Sequence, residues 1–94
     1  MLPYGQAKYI LDFYGLRHQK AKMIEELAEL IVALQKNLLS GEEDLTGEIL
    51  EEIADIQIMI LQLLAYKGEY SRVYKIMDYK LNRQIERIKE EVSE

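Results

Sequence analysis

The chain contains no cysteine, a single proline and a single histidine. Without cysteine it has no disulfide, no thiolate metal ligand and no cysteine nucleophile. The one histidine, His18, excludes any site that needs two imidazoles from one chain. Because Pro3 precedes every patterned segment, no proline interrupts a helix downstream of it. Any metal or acid–base chemistry must therefore depend mainly on carboxylates.

Basic residues are also scarce: 12 Lys and Arg stand against 17 Asp and Glu, a net charge of −5. This balance argues against a nucleic-acid clamp, which needs a basic face. The 94 residues are enough for one domain, expected over 1–94, and 49% apolar residues can supply a core. A domain of this size buries a modest share of its surface, which favours self-association.

Long apolar runs are lacking as well. The longest strongly apolar stretch, Ile53–Leu64, carries Asp55, Gln57 and Gln62 and is too short to span a bilayer. No signal peptide is visible. These features predict a soluble, cytoplasmic domain with neither a membrane nor a nucleic-acid partner.

The spacing of apolar residues predicts an all-α fold. Apolar positions recur at three- and four-residue steps, four of the five glycines separate the patterned segments, and no alternating strand pattern of useful length occurs. We expect a helical bundle of three long helices behind a short N-terminal helix. The predicted helices cover about Gln6–Tyr14, about Arg17–Leu39, a start between Asp44 and Glu48 to about Tyr66, and about Tyr70–Glu90. Either Thr46 or Asp44 can cap the third helix.

Two acidic motifs stand out on the second and third helices. Glu26 and Glu29 share one helix face, and Glu52 and Asp55 share another. Like charges at this spacing repel each other by roughly a few tenths of a kcal/mol. A single acidic motif of this kind is typical of a solvated helix face.

The second motif is less easily explained by solvent exposure. Most residues from 53 to 64 are apolar, so the third helix is expected to be buried on nearly all sides, with Asp55 on the same stripe as Met59. A buried carboxylate takes up a proton or finds a cation. Since few basic residues lie nearby, a divalent metal is expected. All-oxygen ligation favours Mg²⁺ or Mn²⁺, whereas a di-iron site would want Glu-x-x-His.

Taken together, the two motifs resemble the EExxE…ExxD signature of the MazG-like all-α nucleoside triphosphate pyrophosphohydrolases. Here Glu25-Glu26-x-x-Glu29 precedes Glu52-x-x-Asp55 with 22 residues (30–51) between them. The strings IEELAELIVALQK, EEIADIQIMILQL and YKLNRQIERIKEE are similar to the small phage and bacterial members. The similarity covers roughly residues 17–90.

The resemblance implies an activity and a site. Family members hydrolyse nucleoside triphosphates between the α and β phosphates, giving a monophosphate and pyrophosphate, with Mg²⁺ as cofactor. Deoxynucleotides or non-standard nucleotides are the expected substrates. Carried over by motif position, the metal ligands are Glu26, Glu29, Glu52 and Asp55. Glu25 is then either a supporting ligand or the group that orients the attacking water.

The same resemblance assigns Lys80 and Arg83 to the family's K-x-x-R element, which grips phosphate oxygens. Arg suits a bidentate phosphate contact and Lys a point-charge contact. Lys22, one turn before Glu26, is a further candidate that either contacts phosphate or balances the acids. We expect a homodimer or homotetramer in which helices of both subunits form the substrate cleft.

Two alternatives stay open. Phosphoribosyl-ATP pyrophosphohydrolase has similar length and acidic motifs, although LQKNLLSGEEDL and NRQIERI fit it less well. A non-catalytic helical interaction module would share the apolar stripes and self-associate, but would not need Glu52 and Asp55 on a buried face.

Overall fold

A computed structural model describes residues 3–93, so positions 1, 2 and 94 of the predicted domain lie outside the described residues. The described chain has four helices and no strand, which confirms the predicted all-α class. The helices are α1 (Tyr4–Tyr14), α2 (Leu16–Ser40), α3 (Gly47–Ala65) and α4 (Tyr70–Ser93). In the described part of the chain, no helix combines the length and apolarity needed to cross a bilayer.

Two glycines make the sharp connections around α2. Gly15, between α1 and α2, has φ +92°, and Gly41, after α2, has φ +77°. L-residues rarely adopt these positive φ values, whereas glycine does so without a steric penalty. At Gly41 the left-handed conformation lets its N–H donate to the Leu38 carbonyl at 3.3 Å, which closes the end of α2.

Thr46 is the N-cap of α3. Its Oγ1 accepts a hydrogen bond from the Ile49 N–H at 3.4 Å. The Asp44 N–H instead donates to the Glu42 side chain at 3.4 Å within the preceding loop. Of the two caps that the sequence allowed, the structure therefore has Thr46, and α3 begins at Gly47.

The core lies where α1 and α2 pack against α3. Its buried apolar side chains are small or medium in size, and every element except α4 contributes one: Ala7, Leu11, Ala33, Ile49, Ile56, Met59 and Ala65. The expectation that α3 is buried on nearly all sides is wrong for a single chain. Leu50, Ile58 and Ile60 on α3 are exposed, because only part of its circumference is covered by α1 and α2.

Helix α4 joins this core only through its first turns. The Tyr70 hydroxyl donates to the Leu61 carbonyl at 3.1 Å, and the Tyr70 ring lies 4.1 Å from that of Tyr4. Beyond these turns α4 has no buried residue, and Leu81 and Ile88 are 56% and 59% exposed. The radius of gyration is 16.7 Å, against about 12 Å for a compact domain of this length. Helices α1–α3 thus form the expected helical bundle, whereas α4 packs against it only at its start.

Candidate metal centre

Helices α2 and α3 run antiparallel, which brings the two acidic motifs face to face. Gln19 near the start of α2 bonds to Gln62 near the end of α3, at 2.7 Å. Further along, Glu26 of α2 lies beside Glu52 and Asp55 of α3. The short connection between the helices, 41–46, imposes this arrangement.

One carboxylate oxygen from each of Glu26, Glu52 and Asp55 lies within 4.8 Å of the others. Mg²⁺ binds oxygens at about 2.1 Å, so ligands on opposite sides of one ion lie about 4.2 Å apart. The spread of the three oxygens is close to that span. These three residues can therefore hold a single hard divalent cation, and we call them the acidic cluster.

Burial differs across the acidic cluster. Glu26 is only 8% exposed, Glu52 is half-buried, and Asp55 is exposed. The Oε2 atoms of Glu26 and Glu52 are both buried and have no hydrogen-bond partner. A buried carboxylate oxygen without a partner is costly, and a proton or a cation removes that cost. The donor set and its burial therefore fit a metal ion that enters from the Asp55 side.

Burial raises the pKa of the Glu52 carboxyl above its ordinary value, and the negative charges of Glu29, Glu26 and Asp55 raise it further. Without a metal, protonation of Glu52 relieves the repulsion among these carboxylates. A divalent cation would replace that proton.

Lys22 forms an ion pair with the acidic cluster. Its Nζ lies 3.4 Å from Glu26 Oε1. The hydrogen bond to Glu26, together with the charges of Glu25, Glu26 and Glu29, raises the pKa of Lys22. One ammonium balances only one of the three carboxylates, so the cluster keeps an excess of negative charge.

The other two predicted acids lie at the rim. Glu29 is exposed and is not one of the three residues with closely spaced oxygens, but it lines a shallow cavity with Glu52. Glu25 is exposed too, and acts on the cluster through the charge it presents to Lys22. The structure thus brings together three of the four predicted ligands, with Glu29 next to them and Glu25 outside.

Lys80 and Arg83 are not brought to the acidic cluster within one chain. Both lie on the exposed part of α4, and neither forms an ion pair among residues 3–93. Arg83 lines a surface cavity made only of α4 side chains, including Lys75 and Asn82. The role of Lys80 and Arg83 in binding phosphate therefore stays a prediction.

The sequence analysis did not predict that the side-chain amides of Gln19 and Gln62 form a buried pair. Gln19 and Gln62 are 4% and 2% exposed, and Gln19 Nε2 donates to Gln62 Oε1 at 2.7 Å. His18 Nδ1 lies 2.7 Å from Gln19 Oε1, and Gln62 Nε2 contacts Met59 Sδ at 3.7 Å. A glutamine inside the apolar run of α3 was the available signal, since a buried amide requires a polar partner.

Comparisons with known proteins give no relative for this chain: no protein-family model, no curated protein and no solved structure matches it. The resemblance of its acidic motifs to the MazG-like enzymes therefore stays a prediction.

Proposed function

We propose that the chain is a metal-dependent nucleoside triphosphate pyrophosphohydrolase. In this proposal Glu26, Glu52 and Asp55 hold Mg²⁺, or Mn²⁺ in its place, with Glu29 as a further ligand at the rim. The reaction adds water across the α–β phosphoanhydride bond and releases a monophosphate and pyrophosphate. Deoxynucleoside or non-standard triphosphates are the proposed substrates.

A single observation carries the metal assignment. Two carboxylate oxygens, Glu26 Oε2 and Glu52 Oε2, are buried without a partner, and each belongs to a residue of the acidic cluster. An acidic helix face made only for solubility would turn these oxygens toward water. All-oxygen ligands without cysteine or histidine favour hard ions such as Mg²⁺ and Mn²⁺.

The chemistry of phosphoryl transfer suits such a site. The reaction needs charge neutralisation and alignment more than covalent help from the protein. When bound, the cation would neutralise phosphate charge and activate water for attack. Asp55 is the exposed member of the acidic cluster, so in this proposal the substrate reaches the metal from its side. In this proposal Glu29 at the rim, or the exposed Glu25 further out, accepts a proton from water or orients it.

The phosphate-binding cations require a second copy of the chain in this proposal. Helix α4 presents an exposed apolar side with Leu81, Ile85 and Ile88, and α2 presents another with Ile24 and Leu38. Exposed apolar stripes of this extent favour association between chains. Pairing α4 of one copy with α2 and α3 of another would cover both stripes. Because Arg83 lies one turn after Tyr79, away from Leu81 and Ile88, this pairing would bring Lys80 closer than Arg83 to the acidic cluster.

The charges support the same pairing. Residues 70–93 carry six basic and four acidic side chains, whereas residues 16–65 carry four basic and ten acidic ones. Opposite charge on two surfaces that meet favours their association and selects their orientation. We therefore propose a homodimer or homotetramer whose catalytic cleft contains residues of two chains.

The direct test is an assay of pyrophosphate release from the eight common ribo- and deoxynucleoside triphosphates, with phosphoribosyl-ATP as a ninth substrate. We expect release of equal amounts of monophosphate and pyrophosphate in Mg²⁺ or Mn²⁺, and none in EDTA. Turnover restricted to phosphoribosyl-ATP would favour phosphoribosyl-ATP pyrophosphohydrolase. A lack of turnover on all nine substrates would contradict the proposed reaction.

A non-catalytic interaction module is the second candidate, and the exposed side of α4 is the observation that favours it. Such a module would associate through α4 in the same way whether or not metal is present. Sedimentation and thermal melting in Mn²⁺ and in EDTA separate the two candidates. A melting temperature that does not respond to the metal would favour the module.

A further inference from the structure

Lys22 divides the two oxygens of Glu26 between two different environments. Its Nζ lies 3.4 Å from Oε1, with 48% of the lysine side chain and 10% of the glutamate side chain exposed. The other oxygen, Oε2, is buried and has no hydrogen-bond partner. The lysine therefore reaches the acidic cluster from the solvent side, and Oε2 is left for the cluster interior.

No other side chain takes this position in the described part of the chain. The ion pairs among residues 3–93 join Lys8 to Asp12, Lys22 to Glu26 and Arg72 to Glu69. Only the second of these touches the acidic cluster. The ammonium of Lys22 thus partly neutralises the negative charge of the acidic cluster.

We propose that Lys22 is a displaceable counter-cation that links metal binding to phosphate binding, an inference that rests on the proposed function. In the metal-free protein its ammonium compensates Glu26. A divalent ion at the acidic cluster neutralises Glu26 more strongly and repels the nearby ammonium. The released Nζ, still tethered one turn before Glu26, then binds a phosphate oxygen of the substrate.

This arrangement has two consequences with opposite signs. Lys22 weakens binding of the metal alone, because a positive charge lies close to the ion. It strengthens binding of phosphate to the metal-loaded protein, because the ammonium has lost its carboxylate partner. A lysine with only a structural role would not produce this opposition.

The experiment compares Lys22→Met with Lys20→Met by calorimetric titration of Mn²⁺ alone, then of inorganic phosphate into the Mn²⁺-loaded protein. Lys20 is an exposed lysine on the same helix, with no ion pair among the described residues. For Lys22→Met we expect Mn²⁺ binding to tighten about tenfold. We expect phosphate binding to the loaded protein to weaken about tenfold. Lys20→Met should change neither value.

A second variant, Lys22→Arg, keeps the charge and should hold Mn²⁺ within about threefold of the wild-type affinity. Far-UV circular dichroism confirms that each variant is folded before titration. Unchanged or weaker Mn²⁺ binding by Lys22→Met overturns the inference, as does unchanged phosphate binding. If the wild type binds no Mn²⁺, the proposed function fails together with this inference. If the wild type binds Mn²⁺ and Lys22 has no effect, only the inference fails.

Discussion

The α2–α3 pair and helix α4 use similar helical patterns in opposite ways. The pair buries polar groups, namely the Gln19–Gln62 amides and the Glu26 carboxylate, between its helices. Helix α4 has no fully buried residue, although it has the clearest division into an apolar and a polar side. The pair is acidic and α4 is basic. The α2–α3 pair therefore carries excess negative charge, and α4 has an apolar side that no other part of the described chain covers.

The acidic cluster and α4 each have one property that the rest of the described chain does not compensate. Lys22 balances only part of the negative charge of the acidic cluster, and the cluster could hold a metal ion. The apolar side of α4 is exposed in the single chain, and exposed apolar surfaces of this kind are typical of contacts between proteins. The two features can be tested independently, since metal binding at the acidic cluster depends on metal concentration and self-association through α4 depends on protein concentration.

The largest expected effect comes from a substitution in the acidic cluster of α2 and α3. Replacing Asp55 by Asn removes one charged oxygen from the acidic cluster without changing its shape. We expect pyrophosphate release to fall by about 10³-fold or more, because transition-state charge is no longer neutralised. The folded metal-free protein should be no less stable, since the change removes repulsion. The control is Glu43→Gln in the exposed loop after α2, and equal loss in both variants would contradict the site.

The next largest effect is expected from substitutions on the apolar side of α4. Changing Leu81 and Ile88 to Glu places two charges on the exposed apolar side of α4. We expect self-association to weaken by at least about 100-fold, because charged groups cannot be buried there unpaired. Sedimentation over a range of protein concentration measures the change. Tyr79→Glu, which lies on the opposite side of the same helix, should associate as the wild type does.

Metal binding should stabilise the fold by a smaller amount. At about 100 times the dissociation constant, a bound ion adds about 2.7 kcal/mol to the free energy of unfolding. For a domain of this size that corresponds to a rise of roughly 15 °C in melting temperature. EDTA should reverse the rise, and Asp55→Asn should reduce it. An equal rise in melting temperature for the wild type and Asp55→Asn would indicate that the ion binds outside the acidic cluster.

The smallest effect concerns pH in the absence of metal. Burial raises the pKa of Glu52 above its ordinary value of 4.5, so the unfolded chain loses this proton before the folded chain does. The stability of the metal-free protein should therefore fall as pH rises from below 4.5 through the raised pKa. Glu52→Gln should melt at a higher temperature than the wild type at pH 7, with the difference shrinking toward pH 4.

Thermal melts of Glu51→Gln provide the matched control, since Glu51 is an exposed neighbour on α3. If both variants follow the same pH trend, general repulsion along the acidic helix is responsible, and burial of Glu52 is not.

The sequence was sufficient for the helices and for the meeting of the acidic motifs, because both follow from local spacing and a short connection. Apolar periodicity placed every helix to within a few residues. It could not decide between Thr46 and Asp44 as the cap, since both residue types cap helices well. Nor could it separate Glu29 from the other three acids, because the rotation of α2 against α3 depends on packing.

Exposure was the property that sequence periodicity misjudged. An apolar stripe on α4 and an apolar run in α3 predict that these surfaces are covered, without specifying what covers them. The structure of one chain leaves Ile58, Leu81 and Ile88 open to solvent. A pattern selected for contact between chains looks the same in the sequence as one selected for contact within a chain.

The buried Gln19–Gln62 hydrogen bond has a consequence for the acidic cluster. Gln19 precedes Glu26 by seven residues, and Gln62 follows Asp55 by seven, so both intervals span about two helical turns, or about 10.5 Å. If α2 slid along α3 by even one turn, both amides would lose their partner at a cost of about 1–3 kcal/mol each. The amide pair thus pins the axial register of the two helices, and it keeps the opposing carboxylates level without any direct contact with them.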